Sequence, residues 1–342
     1  MTTTSGPPTV QDQAGAVLAH AAGYVGHRTI AMGLRQSLVA ALGRHPDGLT
    51  ADGLADIAGV DPFYAGVWCR AAFGAGVLVG GGPTYRLAPQ VGTLLLDQDS
   101  PAYIGGLFTT MELPEMFDLF DRSLRSGQRT WWDRTSNEWI AAVAGTGRPF
   151  YTRLVPAGLE RVDGLADRLA AGARILETAC GGGAGVVRLA TTYPACTVVG
   201  ADGDAYSLQV AGKRVQEAGV AERVELVHTP LEELDAQAEF DLVTNNISMH
   251  ECRDLDRVTA NVQRALKPGG VFVISDFPFP DTPEGLRTVP GRIMSGIQFF
   301  EAQIDDQLVP ASTYRELLAR HGFGAVGTFE LTPMHAVTHG RR

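Results

Sequence analysis

A chain of 342 residues, 45% of them hydrophobic and 19% charged, has the length for two domains and the apolar content to fill their cores. Its formal charge of -10, from 28 Lys plus Arg against 38 Asp plus Glu, opposes a role dominated by phosphate-backbone contacts, which rest on a positive field. Cys69, Cys180, Cys196 and Cys252 form no C-x-x-C pair, which argues against a disulfide framework or zinc knuckle and fits reduced thiols in a cytoplasm.

The opening "MTTTSGPPTVQDQ" has no basic n-region and no apolar core, so it does not read as a signal peptide, and residues 1–12 are expected to be a disordered arm. No run approaches the ~20 apolar residues that span a bilayer, so no membrane partner is expected. Residues 14–43 carry apolar side chains at helical spacing, with two helices predicted around a break near Gly23 to Gly26. Thr50 is a natural N-cap for a helix over 51–58, "GVDP" is a turn, and 62–75 reads as a second helix. "VLVGGGPTYRLAP" follows as two short strands around a glycine turn. Helix, turn, helix and two-stranded wing resemble a winged-helix domain over 13–100. Its second helix offers Arg70 as its one base, where a DNA reader needs several Arg, Lys, Asn or Gln. The expectation is therefore a packing or homodimerisation module, with no nucleic acid as partner.

Residues 101–165 read as a helical, aromatic-rich linker and pocket segment, with Tyr103, Phe108, Phe117, Phe120, Trp131, Trp132, Trp139, Phe150 and Tyr151. Core packing accounts for most of these, and some would wall a ligand site. From residue 166 to 342 apolar strands and helices alternate. The strands are "RILETA", "CTVVGAD", "RVELVHT", "FDLVTNN" and "GGVFVISDF", and "AVGTFEL" with "HAVTHGR" closes the chain as a hairpin. This is an α/β pattern, a doubly wound and mostly parallel sheet.

The loop "ILETACGGGAG", residues 175–185, decides the ligand. The dinucleotide fingerprint G-x-G-x-x-G fails: counted from Gly181 its last position is Val186, and from Gly183 it is Arg188. A phosphate loop fails for want of G-K-[ST]. A glycine loop at the carboxyl edge of the first strand still lets backbone approach a ligand. S-adenosylmethionine carries a cationic amino-acid tail and a ribose diol, and both suit carboxylates. Glu177 stands in the loop and Asp202 closes the next strand.

These segments resemble the motifs of class I S-adenosylmethionine-dependent methyltransferases. "ILETACGGG" is similar to their first motif, "VVGADGDAYSLQVA" to the second, "EFDLVTNNISMH" to the fourth-strand motif and "ALKPGGVFVISDF" to the turn and fifth strand. The preceding module is similar to that of small-molecule methyltransferases, commonly dimers. The resemblance implies a Rossmann-like sheet of seven strands with the last antiparallel, and S-adenosyl-L-methionine as cofactor. Carried over, Glu177 and the backbone at Ala179, Gly181 and Gly183 would hold the amino-acid end, and Asp202 the ribose hydroxyls. Gly203 would sit against the cofactor, Thr229 and Pro230 would flank adenine, and Asn245, Asn246 and Tyr151 would line the methionine portion. The family often has an Asp bonding the adenine amine where this chain has Thr229. Ala179 replaces a usual glycine, which is tolerable at negative φ.

Methyl transfer needs the acceptor positioned and, for some acceptors, a proton removed. His250, just after the fourth strand, is the candidate catalytic residue, with Glu251 as a solvated neighbour. The insertion at about 278–310 reads as a substrate lid. Glu301 is its catalytic candidate, and Arg292, Gln298, Phe299 and Gln303, with Trp139 upstream, are the substrate-binding ones. No second histidine accompanies His250 and Glu301, so no metal is assigned. His335 and His339 are expected at the surface or sheet edge, and Cys180 in packing. The function expected is methyl transfer to a small aromatic or hydrophobic metabolite, on oxygen or carbon, in secondary metabolism. The alternatives are a DNA-binding regulator with a sensing domain and a cofactor-retaining enzyme that no longer methylates.

Overall fold

The computed structural model describes residues 9–80, 82–130 and 135–342. Trp131 and Trp132, and residues 1–8 of the expected arm, lie outside the described residues. The chain divides into two compact units, the first ending at Glu112 and the second running from Leu113 to Arg342.

In the first unit, α1 (Val10–Arg35) opens on a capping box. Thr9 accepts from the Asp12 amide, and the Asp12 carboxylate accepts from the Thr9 amide. The expected break at Gly23 to Gly26 is absent, and residues 10–12 are helical rather than part of an arm. A mid-helix glycine costs about 1 kcal/mol relative to alanine, too little to divide a capped helix of this length. Next come α2 (Leu38–Gly43), β1 (Leu49–Thr50), α3 (Ala51–Ala58), α4 (Pro62–Gly74), β2 (Leu78–Gly80), β3 (Thr84–Leu87), α5 (Val91–Leu95) and α6 (Gly105–Thr110). Thr50 caps α3 as expected, and Asp61 with Pro62 opens α4. The sheet has a third strand that the sequence did not announce, in the antiparallel order β1-β3-β2. Its core gathers Val39, Leu42, Leu54, Trp68 and Leu78. Residues 101–112 belong here and not with the pocket segment. Glu112 pairs with His27 and Arg28, each at 3.2 Å, and the Ile104 amide donates to Leu94.

The second unit begins with α7 (Asp118–Ser123), α8 (Asn137–Arg153) and α9 (Leu165–Ala171). Then β4 (Arg174–Thr178), α10 (Ala184–Thr192), β5 (Thr197–Asp202), α11 (Ala205–Glu217), β6 (Val224–His228), β7 (Phe240–Asn246), α12 (Leu255–Ala265) and β8 (Leu266–Asp276) alternate. The lid region holds α13 (Pro283–Arg287) and α14 (Val289–Glu301). After it come α15 (Ala311–Arg320), β9 (Gly324–Thr332) and β10 (His335–Arg341). The seven strands lie in the order β6-β5-β4-β7-β8-β10-β9. β4 through β8 are mutually parallel, and β10 runs antiparallel to both β8 and β9.

Side chains of period two feed two separate cores. Ile175, Val198, Leu242, Val271 and Val273 face one side. Their neighbours Leu176, Val199, Val243, Phe272 and Ile274 face the other. Burial on both faces explains why these strands read as continuous apolar runs. His335 departs from expectation. It is fully buried on β10, its ring tilted against Phe150 at 4.4 Å between centroids, and bonded to the Ser275 hydroxyl at 2.7 Å. No helix among the described residues is long and apolar enough to cross a membrane.

Candidate active site

The reversal of strand order between β4 and β7 opens a crevice at the carboxyl ends of these strands, where ligands bind in such sheets. Glu177 lies one residue from the end of β4 and is 1% exposed. Its Oε2 finds no hydrogen-bond partner among the described residues. Burial, aided by the Asp202 charge and partly offset by a hydrogen bond from Tyr151, pushes its carboxyl up to about 8.

The loop that follows turns through left-handed backbone at Ala179 (φ 51°), Gly181 (φ 49°) and Gly183 (φ 75°). Ala179 therefore does not have the negative φ its side chain prefers. The left-handed region costs a non-glycine residue roughly 1–2 kcal/mol, and glycine would give back part of that in unfolded-chain entropy. Ala179→Gly is expected to raise stability by about 0.5–1 kcal/mol, read from urea unfolding. Gly183 is required twice over, because a Cβ there would stand 2.8 Å from the Ala211 Cβ on α11. Gly185 was not singled out from the sequence, yet a Cβ there would fall 2.0 Å from Glu177 Oε1 and 2.3 Å from Tyr151 Cε1. Only a glycine on α10 lets Tyr151, from α8, lie against Glu177. Cys180 is buried and its thiol is pushed up by that burial, so packing is its role.

Asp202 joins this loop to β5. Its Oδ2 accepts from the Gly181 amide at 2.7 Å and its Oδ1 from the Asp204 amide at 2.8 Å. Gly203 faces Pro230, and Thr229 donates its amide to the Asp202 carbonyl. Asn245 is spent inside the sheet: its amide donates to Thr178 at 3.0 Å and accepts from Ser248 at 3.2 Å. Asn246 accepts from the Ser275 hydroxyl at 2.5 Å, while its Nδ2 has no hydrogen-bond partner among the described residues.

Beyond β7 the short turn Met249–Glu251 carries His250, whose side chain is 2% exposed. Its Nδ1 donates to Asp276 at 2.8 Å and 3.0 Å, which leaves Nε2 to face Glu301 Oε2 at 3.7 Å and Glu251 Oε1 at 4.0 Å. Asp276, the last residue of β8, also accepts from the Tyr314 hydroxyl at 2.6 Å and the Phe277 amide at 2.8 Å. Burial opposes a charged imidazole, but the charges of Asp276 and Glu301 outweigh it and hold His250 well above the usual imidazole range. Asp306 is pushed up to about 7 by burial and then by Glu301. Asp276, Tyr314 and Asp306 were missed in the sequence. A carboxylate closing an apolar strand, the signal that marked Asp202, was available for Asp276.

The lid candidates scatter. Gln298 clamps the turn after α14, donating to the Asp306 carbonyl at 3.2 Å and accepting from the Leu308 amide at 2.8 Å. Gln303 donates to the carbonyls of Glu115 and Phe299. Phe299 is exposed against Phe117 and Phe120, and Arg292 faces outward. Trp139 is buried 4.3 Å from Phe300, in the cluster with Met116 and Ile304. The polar partners of His250 among the described residues are Asp276, Glu251 and Glu301, and none of these five is one of them.

Residues 175–270 match the model of a methyltransferase domain. An uncharacterised methyltransferase of Synechocystis is 32% identical over 161 residues, covering 45% of this chain and 68% of that protein. The chain belongs to the S-adenosylmethionine-dependent methyltransferases. The methyltransferase is also 32% identical over 136 residues to the 27-O-demethylrifamycin SV methyltransferase of Amycolatopsis mediterranei, covering 38% of this chain and half of that one. In fold it is similar to human N-acetylserotonin methyltransferase solved with S-adenosylmethionine, at a TM-score of 0.68 and 15% identity, covering 100% of this chain and 99% of that one. The methyltransferase uses S-adenosylmethionine and carries the expected seven-stranded sheet with its antiparallel final strand.

Proposed function

We propose that the protein methylates oxygen or carbon on a small aromatic or hydrophobic metabolite of secondary metabolism, with the acceptor held at His250. One observation carries the reading. The orphaned Glu177 carboxylate with its glycine cradle and the Asp276-oriented His250 stand at the carboxyl ends of neighbouring parallel strands.

The residues fit the cofactor. A buried Glu177 oxygen without a partner suits a cationic amino end, and a ligand that supplies that charge returns the carboxyl to its ionised form. The backbone of Ala179, Gly181 and Gly183 would line the tail. Asp202 keeps lone pairs for a ribose diol, Gly203, Thr229 and Pro230 would border adenine, and Asn246 and Tyr151 would border the methionine portion. Asn245 would contribute backbone, since its amide is engaged. When bound, S-adenosylmethionine supplies an electrophilic methyl on a sulfonium. Once the imidazole has released its Nε2 proton to solvent, Nε2 of His250 accepts a hydrogen bond or proton from the acceptor, Asp276 keeps Nδ1 protonated, and Phe277, Phe150 and Met294 keep water out.

Incubation with methyl-labelled S-adenosylmethionine and a panel of aromatic acceptors is expected to yield labelled product. Calorimetry showing no binding of S-adenosylhomocysteine would sink the reading.

The exposed apolar residues Val17, Leu18, Tyr24 and Val25 on α1, with Phe63 and Tyr64 on α4, support a homodimer. Light scattering is expected to give twice the 36.4 kDa chain mass, and a monomer at micromolar concentration would count against it.

A further inference from the structure

A chain of buried polar groups runs from β10 across β8 to the end of β7. His335 bonds to the Ser275 hydroxyl at 2.7 Å, and that hydroxyl donates to Asn246 Oδ1 at 2.5 Å. All three residues are at most 3% exposed. The atoms at the two ends, His335 Nδ1 and Asn246 Nδ2, have no hydrogen-bond partner among the described residues. A buried amide N–H in this state is costly unless a ligand brings an acceptor.

The chain has a direction. A hydroxyl carries one proton, and Ser275 spends its own on Asn246. Ser275 must then accept from an N–H at His335 Nε2, which leaves Nδ1 bare. Burial, followed by the charge of Arg153, keeps this imidazole neutral by lowering it to about 3, and a guanidinium nearby suits a bare ring nitrogen better than an N–H. The far end agrees. Burial and then the Glu177 charge hold the Tyr151 hydroxyl well above its usual range, and the Asn246 amide works against them, so its donor side faces Tyr151. The opposite order would aim Oδ1 at a hydroxyl that already donates to Glu177. Tyr151 and Glu177 lie together, since a Cβ on Gly185 would meet both. Nδ2 thus stands on the wall of the cleft that carries the orphaned Glu177 oxygen.

The cofactor's tail ends in an ammonium and a carboxylate. Glu177 suits the first and repels the second, while an unspent amide donor suits the second. We infer that His335, through Ser275, turns the Asn246 amide so that Nδ2 donates to the tail carboxylate, which makes His335 a positioning residue for cofactor binding. The inference rests on the reading that Glu177 holds the amino end, and adds a partner for the other charge. Without the Nε2 donor the Ser275 hydroxyl can accept from Asn246 instead, and the amide turns over to present Oδ1.

The test uses calorimetry on the full chain with S-adenosylhomocysteine and its decarboxylated analogue, which keeps the ammonium and lacks the carboxylate. In His335→Met the affinity for S-adenosylhomocysteine is expected to fall by about tenfold, while the analogue binds within about twofold of wild type and so reports a folded protein. His335→Gln, which keeps an N–H donor on a side chain of similar reach, should restore most of the loss. In an Asn246→Leu background the His335→Met change should cost nothing further, because the effect runs through Asn246. Nitrogen-15 NMR of the histidine-labelled wild type should show His335 protonated on Nε2 alone. Equal losses for both ligands, no loss for either, a Gln variant as weak as the Met variant, or full additivity with Asn246→Leu would each overturn the inference. So would a ring protonated on Nδ1, which is seen without any substitution. Wild type binding neither ligand would strike the reading of the cofactor site and the inference with it.

Discussion

Replacing Glu177 with Gln is expected to move stability and cofactor binding in opposite directions. The folded carboxyl titrates at about 8, above its ordinary value of 4.5. Between those two values the folded state holds a proton that the unfolded state has released. Wild-type stability therefore falls as pH rises from 4.5 through 8. A carboxamide does not titrate, so at pH 8 the ligand-free variant should be more stable by about 4 kcal/mol, with the gap closing near pH 5. Urea unfolding at the two pH values measures it. Cofactor affinity should go the other way, because a charge-assisted hydrogen bond is worth about 1.5–3 kcal/mol, or roughly 10- to 100-fold in Kd. Wild-type affinity should also rise with pH up to about 8, since binding a cationic tail expels the Glu177 proton, and the variant should lose that slope. A variant equally affine and equally stable at both pH values would mean that Glu177 faces no ligand.

His250→Ala should lower kcat by about 10²-fold or more while S-adenosylhomocysteine binds within twofold of wild type. The imidazole is held on one side by Asp276, itself fixed by Tyr314 and the Phe277 amide, so its Nε2 is oriented before any acceptor arrives. Removing it takes away the oriented Nε2 and the positive charge that Asp276 and Glu301 hold on the imidazole. A change confined to KM would make His250 a binding group alone. Unchanged kinetics would place the acceptor elsewhere.

The cofactor half of the site was legible because its residues lie within short spacings that follow strand ends. Glu177 and Asp202 each sit at the end of an apolar run, and the glycines between them sit on the turn that such a strand requires. The sheet could be read for the same reason, since strands buried on both faces leave unbroken apolar segments. The acceptor half assembles from parts that sequence keeps far apart: His250, Asp276, Glu301, Asp306 and Tyr314 come from four separate segments. No local pattern announces that they meet. Polarity in the lid misled for a related reason, because Gln298 and Gln303 spend their amides on backbone carbonyls and amides that a non-repeating turn would otherwise leave unpaired. Ala179 shows a third kind of failure, since residue identity does not fix φ where the loop's own hydrogen bonds to β5 dictate it.

The most direct measurement is the structure of the protein with S-adenosylhomocysteine bound. The amino end should lie against Glu177 Oε2, the ribose hydroxyls against Asp202, and the sulfur should look toward Nε2 of His250 across a space that one acceptor fills. A ligand seated away from the loop after β4, or a sulfur turned from His250 with another polar group in its path, would contradict the account.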